Sequence, residues 1–516
     1  MVKKILLSLI GVLVFAAGAF AQAKQVRGSV VDENGAAVIG ASVIVKGTTI
    51  GVSTDQQGFF VMNNVPAKSE ELQISYLGYK TATVAVAPEV KVTLEPDSQT
   101  VETVVVTGMT KTDKRLFTGA SDQLVADDVK LSGLADISRG LEGRSAGVSV
   151  QNVSGTFGTA PKIRVRGATS IHGSSKPLWV VDGVIMEDVA DISAEDLSSG
   201  DATTLISSAI AGLNADDIES FSILKDGSAT SIYGARAMAG VIVITTKKGE
   251  EGRVRVNYAN NTAFSSPFVM PQFQNTYGTD ATAPSMSWGT KLDSPTSYDP
   301  RDFFQTGFNT TNSVSISGGT ERNQTYFSAA SLNSRGIIPN NVYNRYNFTF
   351  RNTTQLIKDK LTLDLGASYM RQYSRNPLVQ GLYHNPLIAV YLFPRGDDIS
   401  KYEVYERYDA TAGYMKQFWP LEFITGVENP WWITNRELFE NTAHRYTFNA
   451  TLKWDIADWI TLTGRVRTDN MVMNYTRKIY ASSDKLFASE YGNYQNNKIH
   501  HNNLYADALL SINKSF

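Results

Sequence analysis

The chain has 516 residues, a formal net charge of -2 and no cysteine. This length exceeds one ordinary domain, so we expect several modules. The near-neutral charge does not favour a nucleic-acid partner, and the lack of cysteine excludes disulfides and zinc–thiolate sites. Tyrosine and phenylalanine occur 23 times each, yet the mean hydropathy is only -0.17. This combination suits a protein that crosses a membrane as strands, in which alternate residues are apolar.

The N-terminus has the features of a secretory signal peptide. Lys3 and Lys4 precede a short apolar run, and Ala19-Phe20-Ala21 has the small-residue pattern of a cleavage site. We predict a signal peptide over 1–21. An anchor helix is the alternative, but the run is shorter than the roughly 20 residues that span a bilayer. No later run reaches that length, so any further crossing would use a barrel.

Residues 22–97 read as short strands separated by turns. Asn34-Gly35 is a hairpin signal, and later strands are expected over Leu72–Tyr79, Thr81–Ala87 and Val90–Leu94. A small β-sandwich would bury their apolar faces. This segment contains no histidine, which removes the usual ligand or base of a zinc or acid–base site.

Residues 98–110 form a linker with a run of β-branched residues, Val101–Thr107. A strand without a partner in its own module is an unpaired edge that invites pairing with another chain. The alternative is that Thr103–Thr107 is the last strand of the sandwich or the first strand of the next module.

Residues 111–250 predict a mixed α/β module. We expect an amphipathic helix over Leu134–Gly143, strands at Val148–Gln151 and Lys162–Gly167, and a hairpin that turns at Asp182-Gly183. Two glycine- and serine-rich loops, which contain Phe157 and His172, are of the kind that contacts ligands.

The segment 222–249, SILKDGSATSIYGARAMAGVIVITTKKG, predicts a strand, a helix that starts at Asp226 or Ser228, a glycine-flanked turn and a buried strand. A dinucleotide-binding loop does not fit, because these glycines precede a strand and do not open a helix after one. Over some two dozen positions the segment resembles the end of the plug domain of SusC/RagA-family TonB-dependent outer-membrane transporters.

The resemblance implies roles for several stretches. Residues 22–97 would be the carboxypeptidase-regulatory-like domain, and 111–250 the plug. The TonB box, which adds as a strand to TonB, would be Val101, Glu102, Thr103, Val104, Val105, Val106 and Thr107. The plug signature would be Asp182, Gly183, Lys225, Asp226, Ser228, Tyr233, Gly234, Arg236 and Gly240. We also interpret the charges Arg164, Arg166, Lys225, Asp226 and Arg236 as polar contacts between plug and barrel wall.

Residues 251–516 alternate between apolar and polar residues with a period of two. Eight strands are expected, with charges such as Arg253, Arg255, Arg351 and Asp364 on the polar side. Short turns alternate with long connections such as Arg375–Glu440, as in outer-membrane barrels with short periplasmic turns. A soluble β-sandwich or propeller is the alternative. The expected fold is therefore mostly β: a sandwich, an α/β plug and an incomplete antiparallel transmembrane barrel.

Eight strands enclose too little space for a plug, since plugged transporters have about 22. We therefore expect the N-terminal part of a longer SusC-like protein, although the terminal aromatic Phe516 is typical of complete barrels. In the longest loop, we expect Trp431 and Trp432 to face a sugar or peptide, and the alternative is that these aromatics form a surface for a SusD-like partner. The expected partners are TonB with its inner-membrane complex, a SusD-like surface lipoprotein, the glycan or peptide ligand, and outer-membrane lipid.

The leading hypothesis is active import of an oligosaccharide or peptide across the outer membrane. The alternatives are a surface adhesin or sensor that does not transport, and an iron-chelate importer. We expect no enzyme, because no acid pair or nucleophile–base arrangement stands out. No cofactor and no metal site is expected either.

Overall fold

The structure is a computed structural model. It describes residues 24–32, 35, 37–48, 50–66, 69, 71–76, 79, 81–94, 104–108, 111–113, 117, 119–130, 136–151, 161–167, 176–186, 210, 213–225, 227–282, 286–377, 381–421 and 424–514. The chain divides into two compact units, Met1–Val104 and Val105–Phe516. Within the described ranges, no helix is both long and apolar enough to cross a membrane.

The first unit consists of two small sheets around one apolar core. The first sheet joins β4 (Phe59–Val65), β1 (Lys24–Val31) and β7 (Glu89–Thr93); the second joins β3 (Gly51–Ser53), β2 (Ser42–Val45), β5 (Glu71–Ser75) and β6 (Ala82–Ala85). Alternate residues of β1, β4, β5 and β7 are buried, including Val30, Met62, Leu72 and Val92. This alternation confirms the strands that were predicted from the sequence.

The second unit begins with β8 (Val104–Val106), which pairs with β9 (Lys111–Asp113). A five-stranded sheet follows, in the order β10 (Ser121–Val125), β15 (Ile218–Leu224), β16 (Val241–Thr246), β13 (Leu178–Val181) and β14 (Val184–Met186). Strands β11 (Val148–Gln151) and β12 (Lys162–Val165) form a separate hairpin. All four residues of β13 and the first four of β16 are buried, because both faces of the sheet are covered.

The helices in the described part of this α/β module are short. They are α1 (Ala126–Val129) and α2 (Gly227–Tyr233), with 3₁₀ turns at Ile137–Leu141 and Gly234–Ala237. The prediction of a helix over Leu134–Gly143 was too long. Asp136 caps a single 3₁₀ stretch through the backbone N–H of Ser138, and Gly140 lies so close to the carbonyl of Val129 that a side chain would overlap it.

The rest of the unit is one eight-stranded antiparallel sheet in the order β17-β18-β19-β20-β21-β24-β25-β26. Its strands are β17 (Gly252–Ser265), β18 (Gly307–Gly319), β19 (Asn323–Arg335), β20 (Val342–Ile357), β21 (Leu361–Arg375), β24 (Glu437–Ala457), β25 (Ile460–Ile479) and β26 (Asn493–Ile512). The eight predicted strands are confirmed. Strands β24, β25 and β26 are 21, 20 and 20 residues long, because strand pairing continues beyond the apolar stretch into a part where both faces are polar.

The longest connection, between β21 and β24, is itself folded. It contains α3 (Pro386–Leu392), the hairpin of β22 (Glu406–Asp409) and β23 (Tyr414–Gln417), and α4 (Pro430–Arg436). Asn385 and Asn429 cap the two helices, each followed by proline at the first helical position. The connection therefore carries its own apolar core, which includes Phe393 and Trp419.

Candidate functional site

The α/β module at the start of the second unit, residues 105–250, contains the predicted plug and is called the plug below. It packs against one face of the eight-stranded sheet, which we call the inner face. The opposite face is called the outer face. Inner-face side chains include Ser313, Tyr326, Thr349, Arg351 and Arg465, each of which contacts the plug through a polar atom. Because strand side chains alternate, the neighbouring residues such as Phe327, Phe348 and Phe350 point outward and are exposed.

The described end of the predicted TonB box is held in the plug core. Val105 is 4% exposed and packs with Val180, Tyr233 and Val243. The Tyr233 hydroxyl donates a hydrogen bond of 2.5 Å to the backbone carbonyl of Thr107. In this conformation the segment is the first strand of the plug, which was the alternative drawn from the sequence. Val101, Glu102 and Thr103 lie outside the described residues.

Arg465 connects the same segment to the sheet. This inner-face guanidinium is 7% exposed, donates to the carbonyl of Gly108 at 2.9 Å, and forms a bidentate pair with Asp507 at 2.9 and 2.6 Å. Gly108 has φ +80, and a side chain there would overlap the Tyr233 hydroxyl. Glycine is therefore required for Tyr233 and Arg465 to reach consecutive carbonyls.

The protonation state of Tyr233 supports its role as a donor. Burial raises the pKa of Tyr233 well above its ordinary value, and this effect outweighs the opposing influence of Arg465. The hydroxyl consequently keeps its proton at any physiological pH and stays available to the Thr107 carbonyl.

Asp182, at the predicted hairpin turn, joins the plug strands to the sheet. Its backbone has φ +49, and its carboxylate accepts from the N–H and the hydroxyl of Thr246 at 3.0 and 2.6 Å. The inner-face Arg351 lies 3.1 Å from the same carboxylate and is paired at 2.9 Å with Asp364. The guanidinium is thus shared between a plug carboxylate and a sheet carboxylate, an arrangement that offsets the desolvation of buried charges.

A second polar contact lies at Asp216 and Asp217. Asp217 accepts hydrogen bonds from the hydroxyls of Tyr326 at 2.9 Å and Thr349 at 2.7 Å. Asp216 accepts from Lys130 of the plug and Ser313 of the sheet. Burial raises the pKa of Asp216, but the hydrogen bonds from Lys130 and Ser313 outweigh it, so the pKa lies below its ordinary value.

The predicted plug-signature residues play more than one part. Lys225 pairs with Asp122 inside the plug, so its expected contact with the barrel wall was wrong; Asp182 supplies one instead. Gly240 has φ +88, and a Cβ at this position would lie only 2.9 Å from the side chain of Val165. Gly234 and Arg236 belong to the 3₁₀ turn, and Ser228 to α2. Asp226, Phe157 and His172 lie outside the described residues.

A cavity of about 680 Å³ lies between the plug and the inner face. Its lining includes Val106 and Gly108 at the end of the box, and the charged residues Lys247, Lys248 and Glu250 after β16. The cavity therefore adjoins the part of the plug that would have to move if the box were pulled.

The two tryptophans expected to face substrate take part in loop packing. Trp432 is 1% exposed and donates its indole N–H to Ser483 at 2.8 Å, so its ring is not a binding platform in this conformation. Trp431 is partly buried and packs edge-on against Phe303 at 5.4 Å. The presence of tryptophan in a loop sequence does not by itself distinguish a surface binding platform from a buried loop core.

The structure also shows an acidic pair at the loop end of the sheet that the sequence did not predict. Glu437, the first residue of β24, is buried beside Glu428. The Nδ1 of His384 lies 2.8 Å from the Glu437 carboxylate, and its Nε2 lies 2.9 Å from the Arg477 guanidinium. Burial raises the pKa of Glu428 and lifts that of Glu437 to about 7. Glu428 also accepts from the backbone N–H of Asp484. These residues are far apart in the chain, so no local pattern predicts the cluster.

The raised pKa of Glu437 has a defined effect on stability. In the unfolded chain a glutamate loses its proton near pH 4.5, whereas folded Glu437 keeps it up to about pH 7. The stabilisation is fully present below pH 4.5 and is lost as the pH rises through about 7.

Comparison with known proteins identifies the class. Residues 26–106 match the CarboxypepD_reg-like domain, and residues 113–241 match the TonB-dependent Receptor Plug Domain. Together with the eight-stranded sheet, these matches define a TonB-dependent receptor.

The relatives narrow the class to a family. The TonB-dependent receptor SusC of Bacteroides thetaiotaomicron is 30% identical over 435 residues, which are 83% of this chain and 41% of SusC. The TonB-dependent receptor P26 of Formosa agariphila is 31% identical over 370 residues, 69% of this chain and 35% of that protein. The chain is homologous to SusC, and this match supports the SusC/RagA family. It spans about two-fifths of the length of SusC.

Solved structures show the same fold. The RagAB peptide importer in its open-open state aligns with a TM-score of 0.57 at 19% identity, covering 77% of this chain and 45% of that one. The RagAB peptide transporter aligns with a TM-score of 0.55, also at 19% identity, over 74% of this chain and 44% of that one. The matched relatives are receptors and transporters, not enzymes.

Proposed function

We propose that this chain is the plug-bearing part of an active importer in the outer membrane, with an oligosaccharide or a peptide as cargo. The observation that carries the proposal is the strand β8, which is three residues long, pairs with the equally short β9, and leads into the carbonyls that accept hydrogen bonds from Tyr233 and Arg465. A strand this short can be transferred from one sheet to another.

In this mechanism Val101–Thr107 pairs with TonB on the periplasmic side. Main-chain hydrogen bonds supply the affinity of such strand addition, and alternate side chains supply the specificity. A pull on the strand first breaks the bonds to the carbonyls of Thr107 and Gly108. Arg465 then loses its plug contact but keeps Asp507, so its charge stays paired while the plug moves.

The remaining contacts between plug and sheet suit repeated movement. Asp182, Asp216 and Asp217 meet guanidinium and hydroxyl groups, and water can replace each of these hydrogen bonds when the plug shifts. A largely apolar interface of the same extent would lose its hydrophobic stabilisation on opening and would resist movement.

The fold also supports the orientation and the partners in the proposal. The tight turns, such as that between β20 and β21, would face the periplasm, on the side of the sheet where the plug ends. The long connections would then face outward, where a SusD-like lipoprotein could cover them. Both cargo classes remain in the proposal; of the compared proteins, the RagAB structure with the same fold is described as a peptide importer.

Deletion of Val101–Thr107 tests this function. In cells grown on candidate glycans and peptides, the deletion should abolish uptake while the purified receptor still binds the same ligand. Alanine at both Gln56 and Gln57, which are exposed in the N-terminal module, serves as a control and should leave uptake intact. Uptake by the Val101–Thr107 deletion at the rate of the parent would refute the proposal.

A further inference from the structure

The outer face of the sheet carries an apolar band with an aromatic rim at its loop end. Tyr369 packs against Phe348 at 6.4 Å and against Tyr446 at 4.9 Å between ring centroids. Phe348 is 46% exposed and Tyr446 is 50% exposed. Aromatic rings of this kind lie at the boundary between hydrocarbon and headgroups.

Directly beyond this rim lies a row of basic side chains on the same face. Arg371 is two residues beyond Tyr369, a rise of roughly 7 Å along the strand. The register pairs Arg371 with His444, His444 with Val472, and Val472 with His500, so three basic residues share one row across four strands. Lys498 is the next outward residue above His500.

One contact holds part of this row in place. The Nδ1 of His444 lies 2.9 Å from the hydroxyl of Tyr369, and the two rings stack at 6.1 Å. The imidazole is therefore fixed at the aromatic rim beside Arg371, with Nε2 left to face away from Tyr369.

Cations outnumber carboxylates on the outer face between the aromatic rim and the loops. Between the rim and the loops, outward positions of the eight described strands carry five cations, Arg335, Arg371, Arg375, Lys478 and Lys498. The same positions carry one carboxylate, Glu440, and it is paired with Lys478 at 2.6 Å. Within the described part of the chain, Arg371 and Lys498 have no carboxylate at ion-pair distance.

We infer that this basic row binds a phosphate-bearing lipid headgroup in the outer leaflet, with phosphate at Arg371, His444 and Lys498 and acyl chains along the apolar band. The inference rests on the proposed outer-membrane location. Charge complementarity and the adjoining apolar band favour a lipid over a soluble partner. The phosphate of a lipid headgroup would lie at the basic row while the acyl chains lie on the apolar band. The row faces away from the plug, so it is separate from the import path.

Lipid retention by the purified full chain tests the inference. The protein is placed in phosphatidylcholine nanodiscs that contain lipid A, and bound lipid A is measured by native mass spectrometry. Each basic side chain near an anionic surface is worth about 1 kcal/mol, so the double variant Arg371→Gln and Lys498→Gln should retain lipid A roughly thirtyfold less well. Added salt should weaken retention by the parent protein.

Matched variants make the result specific. Arg371→Lys with Lys498→Arg keeps both charges and should retain lipid A, and Lys358→Gln with Lys360→Gln removes two charges from the turn at the opposite end and should also retain it. Equal retention by the double glutamine variant, or equal retention of dephosphorylated lipid A by the parent, would overturn the inference. Inorganic phosphate that binds as tightly as lipid A would assign the site to free phosphate and also overturn it.

The two proposals fail in different ways. The Val101–Thr107 deletion should lose uptake and keep lipid A, whereas the double glutamine variant should lose lipid A and keep ligand binding. Loss of lipid A in the deletion variant would contradict the separation of the row from the import machinery.

Discussion

The hydroxyl of Tyr233 is a single group whose removal should release the strand that we assign to coupling. Tyr233→Phe keeps the ring in the plug core but removes the hydrogen bond to the carbonyl of Thr107. A hydrogen bond contributes about 0.5–1.5 kcal/mol to stability, and a value near 1.4 kcal/mol corresponds to a tenfold change in an equilibrium. The population with the strand released should therefore rise by about tenfold.

The absence of native cysteine makes this population measurable. Val105→Cys places one thiol at a position that is buried while the strand is docked, so its rate of maleimide labelling follows the released fraction. In the Tyr233→Phe background that rate should rise about tenfold. Tyr258→Phe is the control, because Tyr258 donates a hydrogen bond to Asn312 on the outer face, away from the strand. Equal labelling rates in the Tyr233→Phe and Tyr258→Phe backgrounds would refute the assigned contact.

Three other changes follow from the same contacts. Arg465→Met leaves the partly exposed Asp507 without its cation and should destabilise the protein by about 2 kcal/mol in thermal unfolding, whereas Arg465→Met with Asp507→Asn should recover most of the loss; an equally unstable double variant would contradict the pairing. Asp182→Asn removes the plug partner of Arg351 and should lower the denaturant midpoint for release of the plug, with Asp122→Asn, a change inside the plug, as the comparison; identical midpoints for Asp182→Asn and the parent would argue against this contact. The loops held by Glu437 should resist proteolysis better at pH 6 than at pH 8, and Glu437→Gln should remove that difference; a parent protein with the same resistance at both pH values would exclude the raised pKa.

The sequence predicted those parts of the fold that have a local periodic cause. One face of the sheet is apolar, so Leu361, Leu363 and Leu365 alternate with polar residues, and the strand β21 is visible in the sequence. The glycines of the plug signature are visible in the sequence for another local reason: the backbone at Gly240 has a positive φ and leaves no room for a side chain.

The contacts of the candidate site could not be predicted in this way, because they join residues distant in sequence. Arg465 and Gly108 are 357 positions apart, and Arg351 and Asp182 are 169 apart. The sequence predicted a polar interface between the plug and the barrel wall. Lys225 was predicted to lie in that interface, but it pairs with Asp122 inside the plug. Burial of Trp432 was missed because its packing depends on Ser483 in another connection.

The strand-addition claim is tested most directly at Thr103, where a backbone donor can be removed without a large change of side chain. Proline lacks the N–H that a pairing strand supplies, whereas alanine keeps it. Uptake should be lost in Thr103→Pro and kept in Thr103→Ala, with ligand binding unchanged in both. Full uptake by Thr103→Pro would contradict main-chain pairing with TonB at this segment.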